Sequence, residues 1–82
     1  MAKKTRKYLA LDLGASSGRG IVGRFDGQRI RLQEVYRFEQ VPLDYRGSWR
    51  WDVLAMADHL RNALGQAATR TRGDLVSLGI DT

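Results

Sequence analysis

Hydrophobic residues dominate the start of the chain, where Lys7 to Leu13 (KYLALDL) is nearly continuous in apolar character. Such a run is typical of a β-strand that is buried on both faces. Gly14 to Gly20 (GASSGRG) is small and polar, and it predicts a tight turn. Ile21 to Phe25 predicts a second strand. The Asp26-Gly27 pair that follows is a two-residue hairpin signal, because both residue types tolerate positive φ.

A period of two governs the next segment, Arg29 to Phe38, and predicts a third, half-buried strand. One face of this strand is expected to carry four apolar residues: Ile30, Leu32, Tyr36 and Phe38. The other face would carry Arg29, Arg31, Gln33 and Arg37. The alternation slips at Glu34 and Val35, which indicates a β-bulge. The arginines would form a basic stripe, for which a covering segment or solvent is favoured over nucleic acid.

A helix is predicted to follow the loop Val41 to Arg50, which holds the only proline of the chain. Asp52 should cap the first turn with its carboxylate. Seven residues fall on one stripe at helical spacing: Val53, Met56, Ala57, Leu60, Leu64, Ala67 and Ala68. Gly73 is a plausible stop signal. Leu75 to Ile80 predicts a last strand.

The predicted order is therefore β-β-β-α-β, an α/β arrangement. The first three strands form an antiparallel meander, and the helix forms a crossover to a fourth strand parallel to the first. A buried parallel pair needs cover on both faces of the sheet, whereas one long helix covers one face. We therefore expect an incomplete domain, which is either a segment of a larger protein or part of an obligate assembly.

Composition narrows the possible classes of protein. The chain has 82 residues, no cysteine and one histidine, which argues against a disulfide scaffold and a thiolate metal site. The longest apolar run, Tyr8 to Leu11, is too short for a membrane span. Asp12 interrupts the apolar segment that a signal peptide requires. A soluble, cytoplasmic protein with no membrane partner is expected.

The formal net charge of +5 arises mainly at the N-terminus. Four basic residues lie within positions 1–7, and the rest of the chain holds ten basic and nine acidic residues. We interpret 1–7 as a basic tail and 8–82 as the folded part. Such a tail can contact nucleic acid or an acidic surface, but a solvated terminus is favoured.

The segment Asp12 to Arg19 carries the candidate chemistry. A turn between two strands can expose successive backbone N–H groups to an anion. Hydroxyl donors are present at Ser16 and Ser17, and Arg19 offers a planar guanidinium suited to phosphate oxygens. Asp12 could hold Mg²⁺ directly or through water, because this cation prefers oxygen ligands. Glycines at positions 14 and 18 would let the backbone approach a phosphate closely. An ordinary Gly/Ser hairpin with a surface arginine remains the alternative.

Two familiar glycine motifs do not explain this segment. Gly18 to Gly23 matches G-x-G-x-x-G, but a strand and a hairpin follow it, whereas dinucleotide binding needs a helix. The glycine loop of protein kinases needs a lysine on a later strand, and no lysine follows Lys7.

The pattern Asp12-x-Gly14-x-x-Ser17-x-Arg19 resembles the first phosphate motif of the FGGY carbohydrate kinases, in the actin/hexokinase ATPase superfamily. Three further matches occur in order: Arg37-Phe38, Trp51-Asp52 and Leu78 to Thr82. The resemblance covers nearly the whole chain beyond the tail. It implies a ribonuclease-H-like domain, of which this chain is the N-terminal β-β-β-α-β part.

The resemblance also implies transfer of the γ-phosphoryl group of ATP to a sugar hydroxyl. Gly14, Ala15, Ser16, Ser17, Gly18 and Arg19 would bind the nucleotide phosphates, and Asp12 would organise Mg²⁺. The general base and most sugar contacts of the family would lie beyond residue 82, so the 82 residues alone should be inactive and need the remainder of the kinase chain. Asp81 is a weaker candidate that either orients a sugar-binding loop or caps the turn after its strand.

Other functions remain open at this point: another kinase of the same family, a small nucleic-acid-binding module, or a non-catalytic actin-like ATPase. Trp49 and Trp51 could stack on a sugar, although packing at the start of the helix is favoured. His59 lies among polar helix residues without a second metal ligand, and we expect it to be solvated.

Overall fold

The structure is a computed structural model that describes residues 5–82, which form one helix and six strands. Four of the strands form a mixed sheet in the order β3-β2-β1-β6, in which only the β1–β6 pair is parallel. The elements in chain order are β1 (Arg6–Leu13), β2 (Ser17–Phe25), β3 (Ile30–Glu39), β4 (Leu43–Tyr45), β5 (Ser48–Arg50), α1 (Val53–Thr71) and β6 (Ser77–Asp81). The meander, the crossover helix and the parallel last strand confirm the predicted fold class.

Strand β1 is buried on one face, not on both as its apolar sequence suggested. Leu9, Leu11 and Leu13 are buried on the face that α1 covers. Tyr8 and Ala10 alternate with them on the opposite face, where Ala10 is exposed. No element within residues 5–82 packs on that opposite face. The sequence of β1 is therefore that of a strand buried on both faces, although only one of its faces is covered within the described residues. Residues 1–4 of the basic tail lie outside the described part, and Arg6 and Lys7 belong to β1.

The predicted bulge is present on β3 and changes which residues share a face. Gly20 pairs with Tyr36 and Ile21 pairs with Glu34, so Val35 is the extra residue. One extra residue reverses the alternation of the side chains. Tyr36 consequently lies on the helix-covered face, while Leu32 lies opposite it and is 73% exposed. The prediction that these two residues share a face was wrong.

The same bulge breaks the predicted basic stripe. Arg31 pairs with Arg24 on the helix-covered face, whereas Arg37 pairs with Arg19 on the other face. The Arg24 guanidinium contacts the Arg70 carbonyl at the end of α1 and donates to Gln33. The arginines of β3 therefore do not form one continuous surface.

The turn between β2 and β3 spans four residues, because Phe25 pairs with Ile30. It is longer than the predicted two-residue hairpin, although Gly27 does adopt a positive φ of 99°. Asp26 Oδ1 accepts backbone hydrogen bonds from Gln28 and Arg29, each of 2.8 Å. The bonds from Arg29 and Gln28 hold the pKa of Asp26 below its ordinary value.

Helix α1 begins as predicted, since Asp52 accepts a hydrogen bond from the Ala55 backbone N–H at 3.0 Å. It ends through Arg72 in the left-handed conformation, followed by Gly73 with φ of 76°. The predicted stripe of α1 was correct in part, because Ala67 is buried as predicted and Leu60 packs against the core. Ala63, Ala67 and Thr71 are the buried residues, whereas the predicted core residue Val53 is 66% exposed.

Small residues determine how closely α1 approaches the sheet. A Cβ atom on Gly20 would lie 3.1 Å from the Cβ atom of Ala63. The helix therefore contacts the sheet through its smallest side chains at this point. The hydrophobic cluster around the contact contains Leu9, Leu11, Val22, Val35, Ala63 and Ala67.

Strands β4 and β5 form a hairpin where the sequence predicted a loop. Its two-residue turn, Arg46-Gly47, has positive φ at both positions, of 52° and 80°. Asp44 Oδ1 accepts from the Gly47 N–H at 3.1 Å and stabilises this turn. Trp49 on β5 is 75% exposed. The hairpin packs on no other element of the described residues.

Candidate phosphate-binding site

The turn between β1 and β2 consists of Gly14, Ala15 and Ser16. It is shorter than the predicted Gly14–Gly20 turn, because residues 17–20 pair with β1 or β3 as part of β2. The Gly14 N–H donates to the Ser17 carbonyl oxygen at 2.8 Å. A Cβ atom at position 14 would lie 2.7 Å from that oxygen, so glycine permits the closure. The result is a tight turn with Ala15 and Ser16 exposed.

Three of the residues predicted to bind phosphate or magnesium share one face of the sheet, whereas Gly18 lies on the helix-covered face. Asp12 and Arg19 are direct partners across the β1–β2 pair, and Ser17 lies two residues before Arg19 on the same strand. The period of two therefore puts all three on the face opposite α1. Asp81 pairs with Asp12 across the parallel β1–β6 pair and so shares this face.

Arg19 and Asp12 form an ion pair between Nη2 and Oδ2, with a separation of 3.4 Å. The two side chains are 43% and 46% exposed. A long, solvent-accessible pair of this kind contributes little to stability, at most about 1 kcal/mol. Both side chains can therefore exchange this contact for a phosphate oxygen or a cation at small cost.

Asp12 fits the kind of ligand that magnesium takes. The described residues contain no group of three acidic, histidine or cysteine side chains that could enclose a metal ion. Mg²⁺ is commonly held by one or two carboxylates together with phosphates and water, which does not need such a group. Asp12 is a partly exposed oxygen donor beside the turn, with Asp81 as its neighbour. Asp81 Oδ1 accepts the Thr82 N–H at 2.9 Å.

A stack of aromatic rings supports the turn from the helix side. Gly18 lies over the ring of Phe38, and a Cβ atom there would overlap it. Phe38 in turn stacks on His59 of α1, with 4.3 Å between ring centroids and 9° between ring planes. His59 Nδ1 and the Tyr36 hydroxyl are 2.8 Å apart and form a hydrogen bond. His59 is thus half-buried between these rings, and the prediction that it is solvated was wrong.

Gln40, directly after β3, also contacts the turn. Its backbone N–H donates to the Ser16 carbonyl oxygen, and its side-chain amide donates to the Gly14 carbonyl oxygen. A cavity of about 620 Å³ opens between this residue and the turn, lined by Ser16, Ser17, Arg37, Phe38, Glu39, Gln40 and Val41. No sequence signal marks Gln40, because a single glutamine after a strand has no characteristic pattern.

The helical residues within 5–82 include no stretch that is both long and apolar enough to cross a membrane.

Three sequence relatives share one name. The chain is 36% identical over 77 residues to a rhamnulokinase of Bacteroides thetaiotaomicron, which covers 94% of the chain and 16% of the relative. It is 43% identical over 75 residues to a rhamnulokinase of Halalkalibacterium halodurans, with 90% and 15% covered. A rhamnulokinase of Bacillus subtilis is 36% identical over 78 residues, with 92% and 15% covered. No model of a protein family matches the chain.

The chain thus spans about one sixth of the length of these curated relatives. This agrees with the expectation that it is part of a longer sugar kinase. Within the FGGY kinases, the Ala-Ser-Ser-Gly-Arg form of residues 15–19 resembles rhamnulokinases in particular, and the shared name of the three relatives agrees with that resemblance. Over about nine tenths of its length the chain is similar in sequence to one part of these rhamnulokinases, which is consistent with an N-terminal fragment of a rhamnulokinase.

Proposed function

We propose that this chain is the N-terminal part of a cytoplasmic kinase that transfers the γ-phosphoryl group of ATP to the 1-hydroxyl group of L-rhamnulose, giving L-rhamnulose 1-phosphate. The similarity to rhamnulokinases supports the sugar-kinase activity. The single observation that carries the nucleotide-binding role is the common face of Asp12, Ser17 and Arg19 beside the exposed Ala15-Ser16 turn.

The turn holds the β- and γ-phosphates in this proposal. The Gly14 N–H is engaged by the Ser17 carbonyl oxygen, so the approachable donors are the backbone N–H groups of Ala15 and Ser16 and the nearby hydroxyls. Backbone donors fixed by a tight turn need no rearrangement as charge develops. Phosphoryl transfer depends chiefly on such positioning and charge stabilisation, which suits a site built from a turn and one arginine.

Arg19 exchanges its contact with Asp12 for a phosphate oxygen. Its guanidinium is partly exposed and makes a long ion pair, so the exchange costs little. Asp12 would then be available to hold Mg²⁺ directly or through water. When bound with ATP, Mg²⁺ supplies positive charge to the phosphate oxygens.

The residues that complete the reaction lie outside the 82 residues in this proposal. The general base that takes the proton of the sugar hydroxyl is a carboxylate beyond residue 82, and so are the adenine pocket and most sugar contacts. Asp81 is kept as a weak candidate for orienting the sugar-binding loop. The 82-residue chain alone should consequently show no sugar-dependent turnover of ATP above a buffer control.

The test uses the complete kinase, by which we mean the product of the open reading frame that contains these residues. Purified protein is assayed with ATP, Mg²⁺ and one ketose at a time, including L-rhamnulose, L-ribulose and D-xylulose. We expect L-rhamnulose to give the highest kcat/KM and a 1-phosphate product in the phosphorus NMR spectrum. A higher kcat/KM for another ketose would indicate a different sugar kinase of the same family. ATP hydrolysis that no sugar stimulates would overturn the sugar-kinase function.

A nucleic-acid-binding module is the less favoured alternative. Its sequence support was the basic tail together with the arginine stripe of β3, and Arg31 and Arg37 of that stripe lie on opposite faces of the sheet. Binding to nucleic acid that weakens steeply with salt, in a protein without kinase activity, would favour this alternative.

A further inference from the structure

Gln40 connects the end of β3 to the phosphate turn, 26 residues away in sequence from Gly14. Its side-chain Nε2 donates to the Gly14 carbonyl oxygen at 3.0 Å, and its backbone N–H donates to the Ser16 carbonyl oxygen at 2.9 Å. The side-chain bond is partly buried. One residue therefore fixes two of the three carbonyl groups in the turn.

A hydrogen bond to the Gly14 carbonyl also determines where the Ala15 N–H points. The two groups belong to the same peptide unit, which is planar, and no peptide bond in the described residues is cis. In a trans unit the carbonyl and the N–H point in opposite directions. While Gln40 holds the carbonyl on its own side, the Ala15 N–H must point away from Gln40.

Without this bond the orientation of that peptide unit would be weakly determined. Gly14 has no Cβ atom and can adopt a wider range of backbone angles than other residues. Ala15 and Ser16 are exposed, so packing does little to fix them. The Gly14 N–H bond to the Ser17 carbonyl holds the preceding peptide unit, not the one that carries the Ala15 N–H.

We propose that Gln40 is a positioning residue, which fixes the Gly14–Ala15 peptide unit so that the Ala15 N–H is aimed at a nucleotide phosphate. The inference rests on the proposed function of the turn. Gln40 itself does not contact the phosphate. It acts through the backbone of the turn, and its role is specific to ATP, not to the sugar.

The test is Gln40→Met in the complete kinase. Methionine has similar length and volume but no donor, and the backbone N–H of residue 40 is retained. We expect kcat/KM for ATP to fall about threefold to tenfold, as for loss of one neutral hydrogen bond. The KM for sugar and the melting temperature should change little. Gln40→Glu should be worse, because a carboxylate would face a carbonyl oxygen and stand close to the phosphates.

Gln33→Met is the matched control. Gln33 lies on β3, the strand that Gln40 follows, and accepts a 2.7 Å hydrogen bond from Arg24 Nη1, but its partner in the sheet is Val22, away from the turn. We expect this variant to keep wild-type ATP kinetics. Hydrogen–deuterium exchange of a peptide covering 14–19, without nucleotide, should be faster in Gln40→Met and unchanged in Gln33→Met.

Three results would overturn the inference. Equal losses in the two glutamine variants, together with lower melting temperatures, would indicate general destabilisation. Unchanged ATP kinetics in Gln40→Met and Gln40→Glu would remove the positioning role, while the proposed function would stand if Arg19→Ala still impaired ATP use. Unchanged kinetics in the Gln40 variants and in Arg19→Ala would reject both the positioning role and the phosphate-binding role of the turn.

Discussion

Gly18 pairs with Phe38 across β2 and β3, one pair in from the end of the strands next to the phosphate turn, and lies against the Phe38 ring. A Cβ atom at position 18 would lie 2.5 Å from Cε1 and 2.8 Å from Cε2 of that ring. The ring cannot retreat, because it stacks on His59 of α1 on its other side. Because Gly18 has no side chain, the Phe38 ring fits between β2, next to the phosphate turn, and His59 of α1.

Gly18→Ala should therefore destabilise the protein. Overpacking of a dense core costs about 1–3 kcal/mol. Gly65→Ala is the matched control, because a Cβ atom at this exposed helix position meets nothing within 4 Å. It should be neutral or stabilise by up to about 1 kcal/mol, since alanine is the better helix former. Thermal unfolding of the complete kinase measures both, and equal stability of the two variants would contradict the packing described.

The hydrogen bond between Tyr36 and His59 should couple the third strand to the helix. Tyr36→Phe removes the hydroxyl and should cost about 0.5–1.5 kcal/mol. His59→Phe keeps an aromatic ring against Phe38 but removes Nδ1, so it should cost a similar amount. Because the two residues share one bond, the double variant should cost less than the sum of the single variants. Strictly additive effects in a double-mutant cycle would show that the bond contributes nothing.

Local sequence signals predicted the element types well. The capping role of Asp52 and the bulge near Val35 needed only a residue type at one position or one break in a period. A single period of two over Arg29 to Phe38 does not predict the reversal of faces that the extra residue at the bulge produces. The β4–β5 hairpin was missed for another reason: its turn begins with Arg46 at φ of 52°, and arginine is not a residue that marks such turns.

Contacts between distant segments could not be predicted from periodicity. The buried line of α1 passes through Ala63 because Gly20 of the sheet lies opposite it. A prediction from hydrophobic spacing favours large apolar residues. It therefore placed Val53 and Leu64 in the core, although both are exposed. The link between Gln40 and the phosphate turn likewise depends on the register of β2 with β3. The candidate site was predictable because its residues are contiguous in sequence, whereas its supports are not.

The sheet face opposite α1 should make the isolated 82-residue chain associate with itself. Ile30 and Leu32 on this face are 63% and 73% exposed. A domain of this size buries only about 60% of its unfolded surface and has little stability to spare. Leu32→Glu should lower the association measured by sedimentation velocity. Gln28→Glu adds the same charge in the adjacent turn and should leave this association unchanged. A monomer with a cooperative melt at high temperature would contradict this expectation.

Arg19→Ala in the complete kinase tests the phosphate-binding role directly. A hydrogen bond to a charged group contributes roughly 1.5–3 kcal/mol. Its loss should lower kcat/KM for ATP by at least about tenfold, while sugar binding is spared. Arg19→Lys should recover only part of this loss, because an ammonium group cannot reproduce the planar guanidinium.

The stability effect of Arg19→Ala should be small, because its ion pair with Asp12 is long and solvent-accessible. This separates a role in ATP use from a role in folding. Arg31→Ala is the control, since Arg31 is exposed, pairs with Arg24 and lies on the other sheet face. Steady-state kinetics with ATP varied at saturating sugar decide the matter. If Arg19→Ala and Arg31→Ala are both folded and both show wild-type kcat and KM for ATP, Arg19 is a surface arginine and the turn binds no phosphate through it.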